Sequence, residues 1–279
     1  MIANLNGRSS NMPSRAGMMY TMLSRAKSRS SIRTYGFSHK YITTHVTALE
    51  EMDRMRLTMP FVFNNPILNF SRQTVILLNN IVSYKKHVFH LFSDPIYQSS
   101  TSLICLTETH VTCIERDIEL LDSSWKEIHK ISEHGLCIAY NHLKIKFEKT
   151  IQIRPSIEGL ACIFRNDTEP FILFLLYRSP SGNLREFIQE FTYQLIDLQT
   201  LSMRIVIVGD FNVNQNHTQN INLMQSVLTQ FSFRLKVTFS THINGSILDL
   251  IMDSDLENDT QADYLPSPCS DHYLLFYGI

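Results

Sequence analysis

Arg204 to Asn212 reads RIVIVGDFN. Ile205 to Gly209 is an apolar run of β-branched character closed by glycine, as a buried strand in a covered sheet is. Asp210 and Asn212 follow at spacing i, i+2, which on extended backbone puts both side chains on one face. Open α/β sheets place their chemistry at such a rim, where a buried strand ends in polar groups. Taken alone, the stretch reads more simply as a plain strand ended by an Asx turn, since Asp and Asn favour turns. The rest of the chain shifts that balance.

Working outward, the regular pattern starts at Thr74. TVILLNN (74–80) predicts a strand ending in two asparagines, 83–93 a helix, and SLICLTETH (102–110) a strand ending in Glu108. Residues 135–141, 159–165 and 171–177 are further candidate strands. Asn183 to Leu198 predicts the clearest helix, with Leu184, Phe187, Ile188, Phe191, Leu195 and Leu198 on one stripe. A helix near 219–231, strands near 234–239 and 247–252, and a last strand at 272–277 complete the pattern. Strands and helices alternate only in part, so an α/β sandwich of mixed sheets with helices outside fits better than a doubly wound parallel sheet.

The 279 residues carry 44% hydrophobic and 18% charged residues, an ordinary globular balance. The longest apolar run, Phe171 to Tyr177, falls far short of the roughly 20 residues a bilayer span needs. With no signal-peptide core before the basic residues, the expectation is a non-secreted, intracellular protein with no membrane partner. The five cysteines are scattered without a CxxC pair, so they read as reduced core thiols, with neither a disulfide partner nor a zinc site. Charge is uneven: residues 1–74 hold ten Lys+Arg and three Asp+Glu, a balance of +7, and residues 75–279 hold 15 and 23, a balance of −8. That asymmetry predicts a basic, mostly irregular or helical N-terminal extension over 1–72, with a helix at 44–57 and a linker at 58–72, ahead of a domain at 73–279.

Polar residues recur where the predicted strands stop: Asn80, Glu108, Tyr177, Asp210, Asn212, and Ser270-Asp271-His272 before the last strand. Asp249 interrupts the apolar run ILDLIM, and a buried carboxylate needs a partner, for which His272 is the natural candidate. The chemistry that wants this set is phosphodiester hydrolysis. A hard divalent cation, Mg2+ or Mn2+, would neutralise the phosphate, held by Glu108 with oxygens from Asn80 and Asp271. Asp210 is positioned to take the proton of the attacking water. Asn212, Tyr177 and His272 would face the phosphorus oxygens, and Asp249 would fix the imidazole of His272. Arg178 and Ser270, beside these, are candidate substrate contacts.

LTET around Glu108, YRSPSG from Tyr177, VGDFN at 208–212, LDLI at 248–251 and SDH at 270–272 occur in this order. Together they resemble the endonuclease/exonuclease/phosphatase superfamily, close to the apurinic-type endonucleases of retrotransposons. The resemblance covers Gln73 to Ile279. It implies a four-layered α/β sandwich of two mixed β-sheets flanked by helices, a Mg2+ or Mn2+ requirement, and roles in that chemistry for Asn80, Glu108, Tyr177, Asp210, Asn212, Asp249, Asp271 and His272. Asn79 and Asn80 compete for the first position, and NIVS at 80–83 fits the family's Asn-apolar-x-Ser better at Asn80. Thr238 matches a substrate-contact position.

GMMYTMLSRAKSR (17–29) resembles the last helicase motif of enzymes encoded by Helitron transposons, and ALEEMDRMR (48–56) the segment after it. In that motif the arginine, here Arg25, contacts the nucleotide phosphate. No GxxxxGK[ST] loop accompanies it, so the expectation is a helicase remnant joined to a complete endonuclease domain. The implied activity is nicking of one DNA strand, with the phosphate backbone as partner and a nuclear location. Two rivals are a catalytically decayed nucleic-acid-binding or interaction protein and a small-molecule phosphatase of the same fold.

Overall fold

In the computed structural model the described residues are 74–92, 101–112, 123–213, 218–267 and 269–279, together with two short strands, β1 (Ile2–Asn4) and β2 (Arg33–Tyr35). The chain divides into two units, Met1–Asn64 and Asn65–Ile279. In the first, β1 and β2 pair in parallel, with Ile2 opposite Arg33; the sequence predicts neither strand. The helix at 44–57 and both helicase-like segments lie outside the described residues.

In the second unit, alternation builds two six-stranded sheets. One runs β11 (Arg234–Leu235), β12 (Asp249–Asp253), β10 (Arg204–Asp210), β9 (Pro170–Tyr177), β8 (Glu158–Arg165), β7 (Lys146–Ile151). The other runs β13 (Asp263–Pro266), β14 (Tyr273–Gly278), β3 (Val75–Asn80), β4 (Leu103–Thr107), β6 (Leu136–Asn141), β5 (Trp125–Lys130). Each sheet holds one parallel pair, β9 with β10 and β3 with β4, among antiparallel neighbours. The sheets are therefore mixed, as the succession of strands in the middle of the chain predicts.

The strands at the centre are apolar on both faces because both faces are covered. Ile76, Leu78, Cys105, Leu173, Val206 and Val208 join one buried cluster between the sheets. The alternate residues of the first sheet, among them Ile172, Phe174 and Ile207, pack under α2 (Leu184–Gln199) and α3 (Thr218–Gln230). Those of the second sheet, such as Val75, Leu77 and Ile104, pack with Tyr84 and Val88 of α1 (Tyr84–Phe92). Helix, sheet, sheet and helix make four layers. Asn183 caps α2, its side-chain oxygen accepting from the backbone N–H of Arg185 at 3.0 Å.

The inter-sheet alternation also places the polar rim. Ile76 and Leu78 face inward, so Asn80 at the end of β3 does too; Leu175 brings Tyr177, Val208 brings Asp210, and Ile251 brings Asp249. Register then aligns them, with Asp210 opposite Tyr177 on one side and Asp249 on the other. Gly209 permits the close approach this needs. A Cβ there would lie 1.8 Å from the carbonyl oxygen of Leu176 on β9.

Candidate active site

Asn80 ties the two sheets together at the rim. Its Nδ2 donates to Glu108 Oε1 at 2.9 Å and to Asp210 Oδ2 at 3.0 Å, so one amide bridges two carboxylates. Its Oδ1 accepts the backbone N–H of Val82 at 3.1 Å. Asn79, the alternative set aside in favour of Asn80, turns the other way, its Oδ1 accepting from Ser267. Glu108 follows the end of β4 at φ 52, a left-handed turn for a non-glycine residue, and its side chain is 21% exposed. Val82, His110 and Asn212 are also left-handed. Such backbone is held only where surrounding structure enforces it, and it gathers at functional sites.

Tyr177 meets Glu108 through its hydroxyl; burial, then that carboxylate, pushes the phenol far above its usual range. Asp210 is fully buried. Burial, then the neighbouring Asp249, raises its carboxyl to about 8, while the charge of His272 and then the hydrogen bonds from Asn80 and from the N–H of Asn212 oppose the rise. His272 Nδ1 lies 2.8 Å from Asp249 Oδ2. Burial opposes charge on His272, but the hydrogen bond and the carboxylate of Asp249 outweigh it and raise the imidazole to about 9. Asp210, Asp249 and His272 present polar atoms within 4.8 Å of one another. Tyr177, Glu108, Asn80 and Asp210 thus join the Asp249–His272 pair in one continuous constellation.

Other expected residues take different places. Asn212 leaves the strand with a positive φ, so the extended-face argument does not hold for it; its N–H closes an Asx turn on Asp210 and its Nδ2 donates to the Arg178 carbonyl at 2.8 Å. Arg178 is buried and its guanidinium donates to the carbonyls of Asn212 at 3.1 Å and of Gly182. It fastens the loop after β9 to the loop after β10, and its Nε is buried without a hydrogen-bond partner. Asp271 is 52% exposed and pairs with His242 Nε2 at 3.0 Å. Ser270 reaches the carbonyl of His272 at 3.4 Å. Thr238 is exposed beyond β11.

Some neighbours of the site carry no signal as single residues. His134 lies against the Tyr177 ring, centroids 4.5 Å apart, and its Nδ1 meets Glu158 Oε2 at 2.9 Å. Glu158 begins β8 directly opposite Tyr177, so the ladder row Glu158–Tyr177–Asp210–Asp249 is the signal that would have found it. Thr241 Oγ1 accepts the N–H groups of Leu248 and Asp249, fixing the start of β12.

The donor set suits a hard cation. Glu108, Asp210 and Asp249 bring three carboxylates against one imidazole, and Asp249 Oδ1 is buried without a hydrogen-bond partner. Oxygen ligands in excess negative charge fit Mg2+ or Mn2+. Glu108, the most open of the three carboxylates, would hold it, with Asn80 fixing its orientation.

A family model described as the endonuclease/exonuclease/phosphatase family matches residues 54–272. The fold is similar to the endonuclease domain of TRAS1, a telomere-specific non-LTR retrotransposon, at 12% identity, TM-score 0.61, covering 74% of this chain and 98% of that one. It is also similar to an AP endonuclease from Archaeoglobus fulgidus (13%, TM-score 0.56, 73% and 98% covered) and to a mannosyl-6-phosphatase of Bacteroides thetaiotaomicron (12%, TM-score 0.59, 73% and 98%). No curated protein matches the sequence. Since the family model spans most of the chain, and the sandwich and its ordered motifs agree with it, this protein belongs to the endonuclease/exonuclease/phosphatase family, whose members hydrolyse phosphoesters.

Proposed function

We propose that the chain is a Mg2+- or Mn2+-dependent phosphodiesterase that nicks one strand of DNA, leaving a 3′ hydroxyl and a 5′ phosphate. One observation carries the reading: Asn80 links Glu108 to Asp210 at the rim where the Asp249–His272 pair also converges. A bound cation would supply charge neutralisation at the phosphate. The chain's own groups do the rest. Asp210 orients a water and takes its proton; the same burial that raises its carboxyl makes it a stronger base, and a bound cation would favour its ionised form. His272, charged through Asp249, faces the phosphorus oxygens, and Asn80 keeps the two carboxylates apart and aligned.

DNA is preferred as substrate because the motif spellings and the TRAS1 likeness both point to mobile-element endonucleases. A transposon origin and a nuclear location follow from the same reading, as does the helicase remnant in residues 1–72. No helix among the described residues is long and apolar enough to cross a membrane. The balance of −8 over residues 75–279 favours a second reading, a phosphatase acting on a small soluble phosphoester, because duplex binding rests on basic side chains. Supercoiled plasmid separates them. With magnesium, the protein should convert it to the open circle and Glu108→Ala should not. Hydrolysis of a soluble phosphoester with no plasmid nicking decides for the second reading.

A further inference from the structure

Glu127 and His129 stand two residues apart on β5 and share one of its faces, and the register places Cys137 of β6 directly opposite His129. This is the outer face of the second sheet, where Tyr84, Trp125 and Cys137 share one buried cluster. It is the opposite face from the one carrying Asn80. His129 Nε2 lies 2.9 Å from Glu127 Oε2 and 3.8 Å from Cys137 Sγ, and one ligand atom from each residue falls within 4.8 Å of the others. The other Glu127 oxygen accepts the hydroxyl of Tyr84. Cys137 is fully buried and the His129 side chain is 9% exposed, its Nδ1 buried without a partner.

A carboxylate, an imidazole and a thiol brought together this closely under a helix form a costly hydrogen-bond cluster but a natural ligand set. Zinc bonds of roughly 2.0–2.3 Å in a tetrahedron separate N from S by about 3.6 Å and N from O by about 3.3 Å. The observed separations differ from these by only a few tenths of an ångström. We propose that Glu127, His129 and Cys137 bind a zinc ion, at a site separate from the phosphoester site and independent of the reaction assigned to it. Sulfur selects against magnesium there. On binding, the Cys137 S–H bond breaks, its proton passes to solvent, and a zinc–sulfur bond replaces it. The Tyr84 hydroxyl stays on Glu127 and orients it. Glu127, 23% exposed, marks the side from which the ion enters. The bound ion would fasten β5, an edge strand, to β6.

Cys105 and Cys162 are the free, buried core thiols expected; zinc binding gives Cys137 a further role. The ligands meet through strand pairing, and no linear spacing of cysteines records that. The test uses the full chain, stripped by chelator and titrated with Co2+, then Zn2+. A thiolate-to-cobalt charge-transfer band should appear at one equivalent and vanish as zinc displaces cobalt. It should be absent in Cys137→Ser and His129→Gln and retained in Asp210→Asn, whose cluster has no sulfur. Zinc should raise the melting temperature of the wild type more than that of Cys137→Ser or His129→Gln, which keep only the rim's cation site, and the excess should persist in Asp210→Asn. A folded wild type without the band overturns the site, as does a band that survives Cys137→Ser. If Cys137→Ser does not fold, His129→Gln decides on the same readouts.

Discussion

At the residue scale, Asp249 governs the charge of its neighbours. It is the partner that holds His272 up at about 9, and after burial it is the main reason Asp210 rises to about 8. The unfolded chain holds the histidine proton only below about 6.5, so the stability His272 contributes is complete below that pH and is lost as pH rises through about 9. Asp210 acts in the same direction, because the folded state keeps a proton that the unfolded chain has already released. Melting of the metal-free protein, followed by circular dichroism, should therefore give a Tm that falls between pH 6.5 and 9, with a flatter profile in Asp249→Asn. A Tm that rises across that range contradicts the assignment. Removing a carboxylate that orients a working imidazole typically costs about 10–100-fold, and steady-state kinetics of Asp249→Asn should show that loss in kcat.

Much of this was legible at single positions, and some was not. An aspartate inside ILDLIM is conspicuous because an apolar run has no use for it, and the bond to His272 is present at 2.8 Å. Arg178 was legible only in part. An arginine beside a rim tyrosine suggests a phosphate contact, and only the folded loops show that its terminal nitrogens also hold the backbone carbonyls of Phe211, Asn212 and Gly182. Asn212 is in both pictures at once, an Asx-turn residue that also belongs to the rim.

At the element scale, the strands that the sequence under-reports are edges. β5, β7 and β13, which it misses, and β11, which it draws too long, are the four outermost strands of the two sheets. WKEIHK and KFEKTI carry lysines and glutamates because edge strands are kept polar against stray pairing, and that erases the apolar signal. Central strands such as β9 and β10 are buried on both faces and read plainly. Gly209 shows how tightly those two meet. Gly209→Ala would push β10 from Leu176, so unfolding by urea should show a loss of about 1–3 kcal/mol or more, with cleavage falling because Asp210 rides on that strand. Asn183→Ala supplies the contrast: losing the cap of α2 should cost about 1 kcal/mol and leave kcat unchanged. Equal effects of the two on kcat would contradict the role given to the β9–β10 contact.

For the catalytic unit as a whole, the two rims of the sandwich divide the work. Opposite the active rim, Asp253 is fully buried, gripped by Arg204 at 3.1 and 2.5 Å and by the Tyr277 hydroxyl at 2.5 Å. It joins the two sheets, since Arg204 and Asp253 belong to one and Tyr277 to the other. Asp253→Ala leaves Arg204 with only Asp255, at 3.2 Å, and takes the acceptor from the Tyr277 hydroxyl, so it should cost about 1–3 kcal/mol in denaturant unfolding, with activity per folded molecule retained. A fall in kcat without a fall in stability would show that this rim takes part in the chemistry. Sequence motifs mark the active rim because its residues are spelled in short runs. They pass over the opposite rim because Arg204, Asp253 and Tyr277 meet only through the sheet packing.

The central claim is that the rim constellation cleaves phosphodiesters with a divalent cation, Asp210 serving as base. Its most direct test is a magnesium titration of plasmid nicking by the wild type and by Asp210→Asn, on intact and abasic DNA. Saturable nicking by the wild type, reduced by about 10²–10⁴-fold in the variant, is the predicted result. Nicking at the same rate in both folded proteins would contradict it.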